Sequence, residues 1–219
     1  MLRHLALLTV RSVHASARLL VVAVVVVAAL SAVFSPVHAV GSSAFTAPSR
    51  SQLSRLYHLE PYIRYFSALT YGHEDAVVSE DYIRALILSE SAGDKWAHSV
   101  KGARGLTQIM PSTGRAAAAH LVSTGFDFRY VDERKLAGFS PDLLYDPALN
   151  LLIACYVNAT YHRMYDGRED LMAAAWNAGP AAVQRSGNKP PSIPETRAFV
   201  GRVLTYMQYF EKRGDQIVF

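Results

Sequence analysis

Cysteine is nearly missing from this chain: Cys155 stands alone in 219 residues. No disulfide can close within the chain, and centres built from several thiolates are excluded. Cys155 lies in "LLIACYVNATY", a helical pattern that makes it a small core residue. Acidic residues are missing from one end. Met1–Ala39 holds Arg3, Arg11 and Arg18 but no Asp or Glu. It runs apolar from Leu19 to Phe34, then reaches Pro36 and Val37-His38-Ala39. A positive start, an apolar middle and a small-x-small exit predict a secretory signal over residues 1–39. The apolar run is 16 residues, slightly short for a spanning helix, and an uncleaved anchor is the competing reading. Both readings export the remainder.

Three of the 22 Lys+Arg and none of the 18 Asp+Glu lie in that segment, so the remainder is nearly neutral at 19 against 18. It holds no basic run of the kind that grips nucleic acid, and nucleic acid is not an expected partner. His73, His98, His120 and His162 are scattered, with no cluster at metal-ligand spacing, so neither a metal nor a cofactor is expected. No stretch alternates over a strand length and no repeat recurs. The chain therefore reads as mainly α. Residues 40–54, "VGSSAFTAPSRSQLS", form an expected linker, and 55–219 one globular domain large enough for a single core.

Helix signals are clear in several places. Ser79 precedes Glu80-Asp81 as a cap with acids in the first turn. Pro111 opens "PSTGRAAAAHLV". Asp146-Pro147 starts a long helix to Gly167, with Leu149, Leu152, Ile153, Tyr156, Val157, Tyr161 and Met164 on one face. Asp170 is expected to cap "LMAAAWNA", which ends at Gly179-Pro180, and "ETRAFVGRVLTYMQYFEKR" makes a last helix. Residues 123–145 read as a polar and aromatic loop.

One position breaks the apolar logic. In the helix after Ser79 the stripe Tyr82, Ile83, Leu86, Ile87 continues onto Glu90. A carboxylate on an apolar face must pair, neutralise or border a cleft; desolvation raises its pKa, as a general acid requires. The bland alternative is a helix-end Glu turned to water. A glycine-studded loop follows, Gly102 to Pro111, where glycine permits close backbone approach. Gln108 offers both donor and acceptor there, and Met110 an adaptable apolar wall. A tight turn with Leu106 and Ile109 in the core accounts for the same residues.

In order, Glu90-Ser91, Ser99, "GARGLTQIMP", "DPALN" at 146–150, "AAWNAGPAAV" at 174–183 and "IPETRAFV" at 193–200 closely resemble the soluble-lytic-transglycosylase (goose-lysozyme-like) family, over roughly residues 60–212. The resemblance implies a lysozyme-like helical catalytic domain that cleaves the β-1,4 bond between N-acetylmuramic acid and N-acetylglucosamine in peptidoglycan. Glu90 matches the catalytic acid/base. Ser91, Ser99, Gln108, Met110, Trp176 and Asn177 match substrate-binding positions. The partner implied is the glycan strand, and the location the periplasm, or its inner-membrane face if the anchor is retained. A short N-terminal segment before one catalytic domain also resembles the specialised enzymes that open the wall for secretion, conjugation or pilus machines.

The chain departs from the family pattern at three places. Trp176 replaces a tyrosine whose hydroxyl reaches the catalytic Glu, Phe199 replaces a second tyrosine, and Thr107 stands where methionine is common. Tuning of Glu90 is therefore expected from desolvation, or from Tyr156 or Tyr161 on the long helix. Residues 121–140 are expected as an added loop near the cleft. No motif is read as supplying a second carboxylate, and Asp94 reads as a solvated loop acid. The implied mechanism is that of a single acid/base closing a 1,6-anhydro ring on muramic acid. The alternatives are a goose-type lysozyme, in which water intercepts the intermediate, and a non-catalytic peptidoglycan-binding or assembly protein.

Overall fold

A computed structural model describes residues 47–72 and 77–213. The expected signal or anchor, residues 1–39, and His73 lie outside the described residues. The first helix, α1 (Arg50–Tyr57), begins inside the stretch expected as a linker. Ser49 makes a capping box there: its hydroxyl accepts from the Gln52 amide at 3.2 Å, and Gln52 Oε1 accepts from the Ser49 amide at 2.7 Å. Serines that read as linker composition therefore start a helix, because one of them has Gln at the reciprocating position.

Next come α2 (Glu60–Ser67), α3 (Glu80–Ser91), α4 (Pro111–Ser123), α5 (Glu133–Ala137), a 3-10 turn (Pro141–Tyr145), α6 (Pro147–Met164), α7 (Glu169–Ala178), α8 (Pro180–Arg185) and α9 (Pro194–Glu211). Among the described residues the only extended pairings are isolated bridges between His98, Arg104 and Ile109. The mainly α reading holds.

Capping chemistry acts where the sequence indicates it. Ser79 Oγ accepts from the Tyr82 amide, and Asp146 accepts from the amides of Ala148 and Leu149 at 3.0 and 3.3 Å. Asp170 is a correction. It lies inside α7, one position past Glu169, and pairs with Arg168 at 2.8 Å instead of capping. Pro180 does not only end α7; it opens the short α8, since proline in a first helical position forfeits no internal hydrogen bond.

The long α6 is buried all round, beyond the single face expected. Ala148 through Ala159 are all buried, while Met164 is 40% exposed. A helix apolar on every side belongs at the centre of a domain, and the others wrap it. The most extensive helix pairing is α3 against α9, with α9 also on α7 and α2 on α6.

Helix α3 carries one buried cation. Arg84 is gripped by Glu60 of α2 through two bonds of 2.9 and 2.7 Å, and by Glu80 and Asp81 at 2.6 Å each. The acids read as dipole complements thus also neutralise Arg84 and tie α2 to α3.

Residues 121–140, expected near the cleft, pack on α2 and α4, and Lys135 pairs with Asp146 at the start of α6 at 3.6 Å. Tyr130 meets the edges of Tyr62 and Tyr65, and the Arg129 amide donates to the Tyr65 hydroxyl at 3.2 Å. Phe139 lies over Gly114 of α4, where a Cβ would stand 2.7 Å from its ring. Aromatic side chains that look like cleft furniture in sequence are used here to seal α2 and α4.

Candidate active site

Glu90 occupies the last turn of α3, which ends because Ala92 and Gly93 take positive φ of 54° and 81°. The Arg55 guanidinium of α1 donates to the Ala92 carbonyl at 3.2 Å, so the N-terminal helix braces this end. Ser91 Oγ donates to the Leu106 carbonyl at 2.7 Å and accepts from the Gly93 amide at 3.2 Å. That serine ties the loop to the helix carrying Glu90.

The loop is a compact knot of backbone bonds. Arg104 and Ile109 exchange two, at 3.0 and 3.1 Å, and the Gly105 amide donates to the Ala97 carbonyl at 2.9 Å. Gly105 has φ +77°, and a Cβ there would strike the Leu144 carbonyl and stand 2.5 Å from Asn150 Nδ2. Only glycine fits. Asn150 of α6 is fully buried and organises the knot from beneath. Its Oδ1 accepts from the Thr107 hydroxyl at 2.7 Å and the Thr107 amide at 3.2 Å. Its Nδ2 donates to the carbonyls of Leu144 and Arg104 at 2.8 and 3.2 Å. Thr107, where the family commonly has methionine, is therefore a buried hydrogen-bonding partner.

Gln108 takes φ +52° and donates from Nε2 to the carbonyls of Ala97 and Gly105 at 3.1 and 3.0 Å, which fixes its amide plane. Ser99 Oγ accepts from the Ala103 amide at 2.9 Å, bracing the turn. Met110 precedes α4 as its cap residue. Asn177 Oδ1 accepts from the Thr196 hydroxyl at 2.8 Å, joining α7 to α9. Glu90, Ser91, Ser99, Gln108, Met110, Trp176 and Asn177 are each half-buried.

Trp176 and Glu90 meet directly: the indole Nε1 donates to Glu90 Oε1 at 2.9 Å. Burial pushes the Glu90 carboxyl up to about 8 against two opposing influences, the indole hydrogen bond and the Arg202 charge, while Glu195 adds to the rise. The position in the last turn of α3 acts in the same direction, since the carbonyl end of a helix disfavours negative charge. At neutral pH Glu90 is predominantly the neutral acid, and the tuning comes from desolvation, as expected.

Neither tyrosine weighed as an alternative source of tuning is among the groups that shift Glu90. Tyr156 stacks on His120, with ring centroids 5.0 Å apart, and Tyr161 is buried beside Tyr165. Tyr156 also borders a cavity of about 300 Å3 shared with Tyr71, His120 and Phe128, and none of the seven site residues lines it. That cavity lies apart from Glu90 in its lining.

Two residues escaped the sequence reading. Glu195 lies in the first turn of α9, in the very motif "IPETRAFV", and its charge reaches Glu90. Arg202, two turns further along α9, counters it and lies over the Phe199 ring, 5.7 Å from the centroid. Their spacing on one helix was legible; their approach to Glu90 needed the packing of α9 on α3. Asp94 is exposed, and its Oδ1 accepts from the Trp96 amide at 2.9 Å, the loop acid expected. No group of three or more potential metal ligands occurs among the described residues.

Comparison with known proteins gives a consistent result. The profile of the transglycosylase SLT domain matches residues 70–197. The soluble lytic murein transglycosylase of Salmonella typhimurium is 32% identical over 157 residues, and that of Escherichia coli K12 30%; each match covers 66% of this chain and 22% of the relative. The chain thus spans about a fifth of the length of these relatives. The crystal structure of the 70 kDa soluble lytic transglycosylase from Escherichia coli superposes with a TM-score of 0.54 at 27% identity, covering 72% of this chain and 26% of that one. With the profile matching more than half of its residues, the chain belongs to the transglycosylase SLT domain family.

Proposed function

We propose that this chain is a peptidoglycan lytic transglycosylase, with Glu90 its single acid/base. The carrying observation is a half-buried carboxyl held by one indole donor and pushed up to about 8, hence neutral and able to give a proton near pH 7. Neutral Glu90 protonates the glycosidic oxygen as the bond from muramic acid C1 to the glucosamine O4 breaks. The N-acetyl carbonyl of the muramic acid supports the positive anomeric carbon. Glu90, now a carboxylate, takes the proton of the same sugar's 6-hydroxyl. Its oxygen bonds to C1 and closes the 1,6-anhydro ring. Glu90 ends as it began, and no water is consumed. Gln108 and Asn177 hold polar edges of the sugars, and Met110 and Trp176 supply apolar contact.

A hydrolase remains the second reading, because Glu195 is a second carboxylate whose charge reaches Glu90. It is exposed, on the first turn of α9, where water is available. Digestion of purified sacculi in 18O-labelled water separates the two. Anhydro ends free of 18O support the proposal; reducing ends carrying 18O assign the chain as a lysozyme with Glu195 the candidate base. A folded protein that binds sacculi without cleaving them is the assembly reading.

The same proposal places the domain of residues 55–219 outside the cytoplasm, in the periplasm or tethered at its inner-membrane face by residues 1–39, with glycan strands as partner. No helix of the described residues is long and apolar enough to cross a membrane. Its narrower form is an enzyme that opens the wall for a secretion, conjugation or pilus machine. Failure of such a machine to assemble in a strain carrying Glu90→Gln tests it.

A further inference from the structure

Trp96 is 63% exposed, and Val100 in the same loop is fully exposed. A lone exposed aromatic needs no explanation. This one is built into a cluster drawn from two elements. The indole leans on Tyr145 of the 3-10 turn, with centroids 5.5 Å apart and planes tilted by 43°. The Tyr145 hydroxyl shares a hydrogen bond with His98 Nδ1 at 2.9 Å. The Arg104 guanidinium lies over the Tyr145 ring, 5.7 Å from its centroid, and pairs with Asp142 at 2.5 Å. Lys95 Nζ lies 4.8 Å from the centroid of the Trp96 ring. These contacts hold two aromatic rings at the surface and leave most of Trp96 exposed, so they order a surface without filling the core.

The cluster is continuous with the candidate active site. Trp96 directly precedes Ala97, whose carbonyl accepts from Gly105 and from the side chain of Gln108. The Cα of Trp96 lies one peptide unit, about 3.8 Å, from that of the residue on which Gln108 rests. The chemistry of the patch also fits a defined partner. Pyranose rings present apolar C–H faces that stack on aromatic rings, and a muramyl polymer carries carboxylates that a cation such as Lys95 attracts.

We propose that Trp96 and Tyr145 form a sugar-stacking subsite outside the Glu90 cleft, over which the glycan strand runs on leaving it, with Lys95 meeting the strand's carboxylates. This rests on the glycan-cleaving reading of Glu90 and adds a grip on long strands that the cleft alone lacks. A protein partner on the same patch is the outcome the test must separate.

The test uses Glu90→Gln protein, whose binding can be read without turnover, with a peptidoglycan tetrasaccharide and with long glycan strands as probes in titration calorimetry. Adding Trp96→Ala is expected to weaken long-strand binding about five- to tenfold and to leave tetrasaccharide binding unchanged, with Trp96→Tyr restoring most of the loss. The exposed position predicts unchanged thermal stability. An equal loss on both probes overturns the subsite, because Trp96 would then act through the Gln108 loop. No loss on either also overturns it and leaves the patch to a protein partner. If the Glu90→Gln parent binds neither probe, the glycan-cleaving reading falls and this inference with it.

Discussion

An indole N–H can donate a hydrogen bond and cannot accept one. With Trp176 donating to Glu90 Oε1, that oxygen is held as the acceptor and the acid proton belongs on Oε2. A tyrosine hydroxyl at the same place could turn either way. In the proposed mechanism the tryptophan thus fixes which oxygen gives the proton and partly stabilises the carboxylate left behind. The first prediction concerns kcat/KM, expected to fall as pH rises through about 8, where Glu90 loses its proton. Trp176→Phe removes a donor that favours the charged form, so this alkaline limb moves up by about one pH unit. Trp176→Tyr keeps a donor and keeps or raises the rate. A limb that does not move in the phenylalanine variant contradicts the assignment. The second concerns stability. Glu90 binds its proton more tightly folded than unfolded, so its stabilising contribution is complete below the unfolded pKa near 4.5 and is lost as pH rises through about 8. Glu90→Gln, neutral at every pH, is expected to raise Tm by roughly 2–6 °C at pH 8.5 and to change it little at pH 4. Thermal denaturation at the two pH values checks this.

At the scale of elements, the loop from Asp94 to Met110 depends on α6 beneath it. Asn150→Ala removes four hydrogen bonds and leaves the Thr107 hydroxyl and the Arg104 and Leu144 carbonyls without this partner. It is expected to cost about 2–4 kcal/mol in urea denaturation and to lower kcat at temperatures where the variant is folded, since Gln108 rides on the same knot. Loss of stability with unchanged kcat would show that the knot does not position Gln108. Much at this scale was legible, because caps and prolines are local: Ser79, Pro111 and Asp146 mark their helices by chemistry within four residues. The failures were local signals overruled by neighbours. Asp170 has the right side chain for a cap but follows Glu169, and the helix starts one residue earlier. Gln108 carries no mark of its positive φ, which the exchange between Arg104 and Ile109 imposes.

At the scale of the whole molecule, α2 is bound to α3 through one buried guanidinium. Arg84→Met leaves the buried Glu60 with only the longer contact to the exposed Arg64, at 3.8 Å, and is expected to cost about 2–4 kcal/mol, because a poorly compensated buried charge outweighs the apolar volume gained. Activity measured well below the lowered Tm should stay near that of the parent, since none of the seven site residues contacts Arg84. The sequence pattern singled out Glu90, the acid of the proposed mechanism, because a carboxylate on an apolar stripe is visible in one helix. Glu195 and Arg202 are not marked in it, and it leaves desolvation and the tyrosines Tyr156 and Tyr161 as open alternatives for tuning, because those relations exist only once α9, α3 and α6 are packed. The α6 pattern has apolar residues on all sides, so no single face could say which tyrosine points at the acid.

The measurement that tests the central claim most directly is a mass-spectrometric digest of purified peptidoglycan by residues 40–219, beside Glu90→Gln of the same length. The account predicts products ending in 1,6-anhydromuramic acid from the parent, and none from a folded variant that still binds the glycan. Anhydro products from Glu90→Gln at a rate near the parent's would contradict it, because the proton would then come from another group.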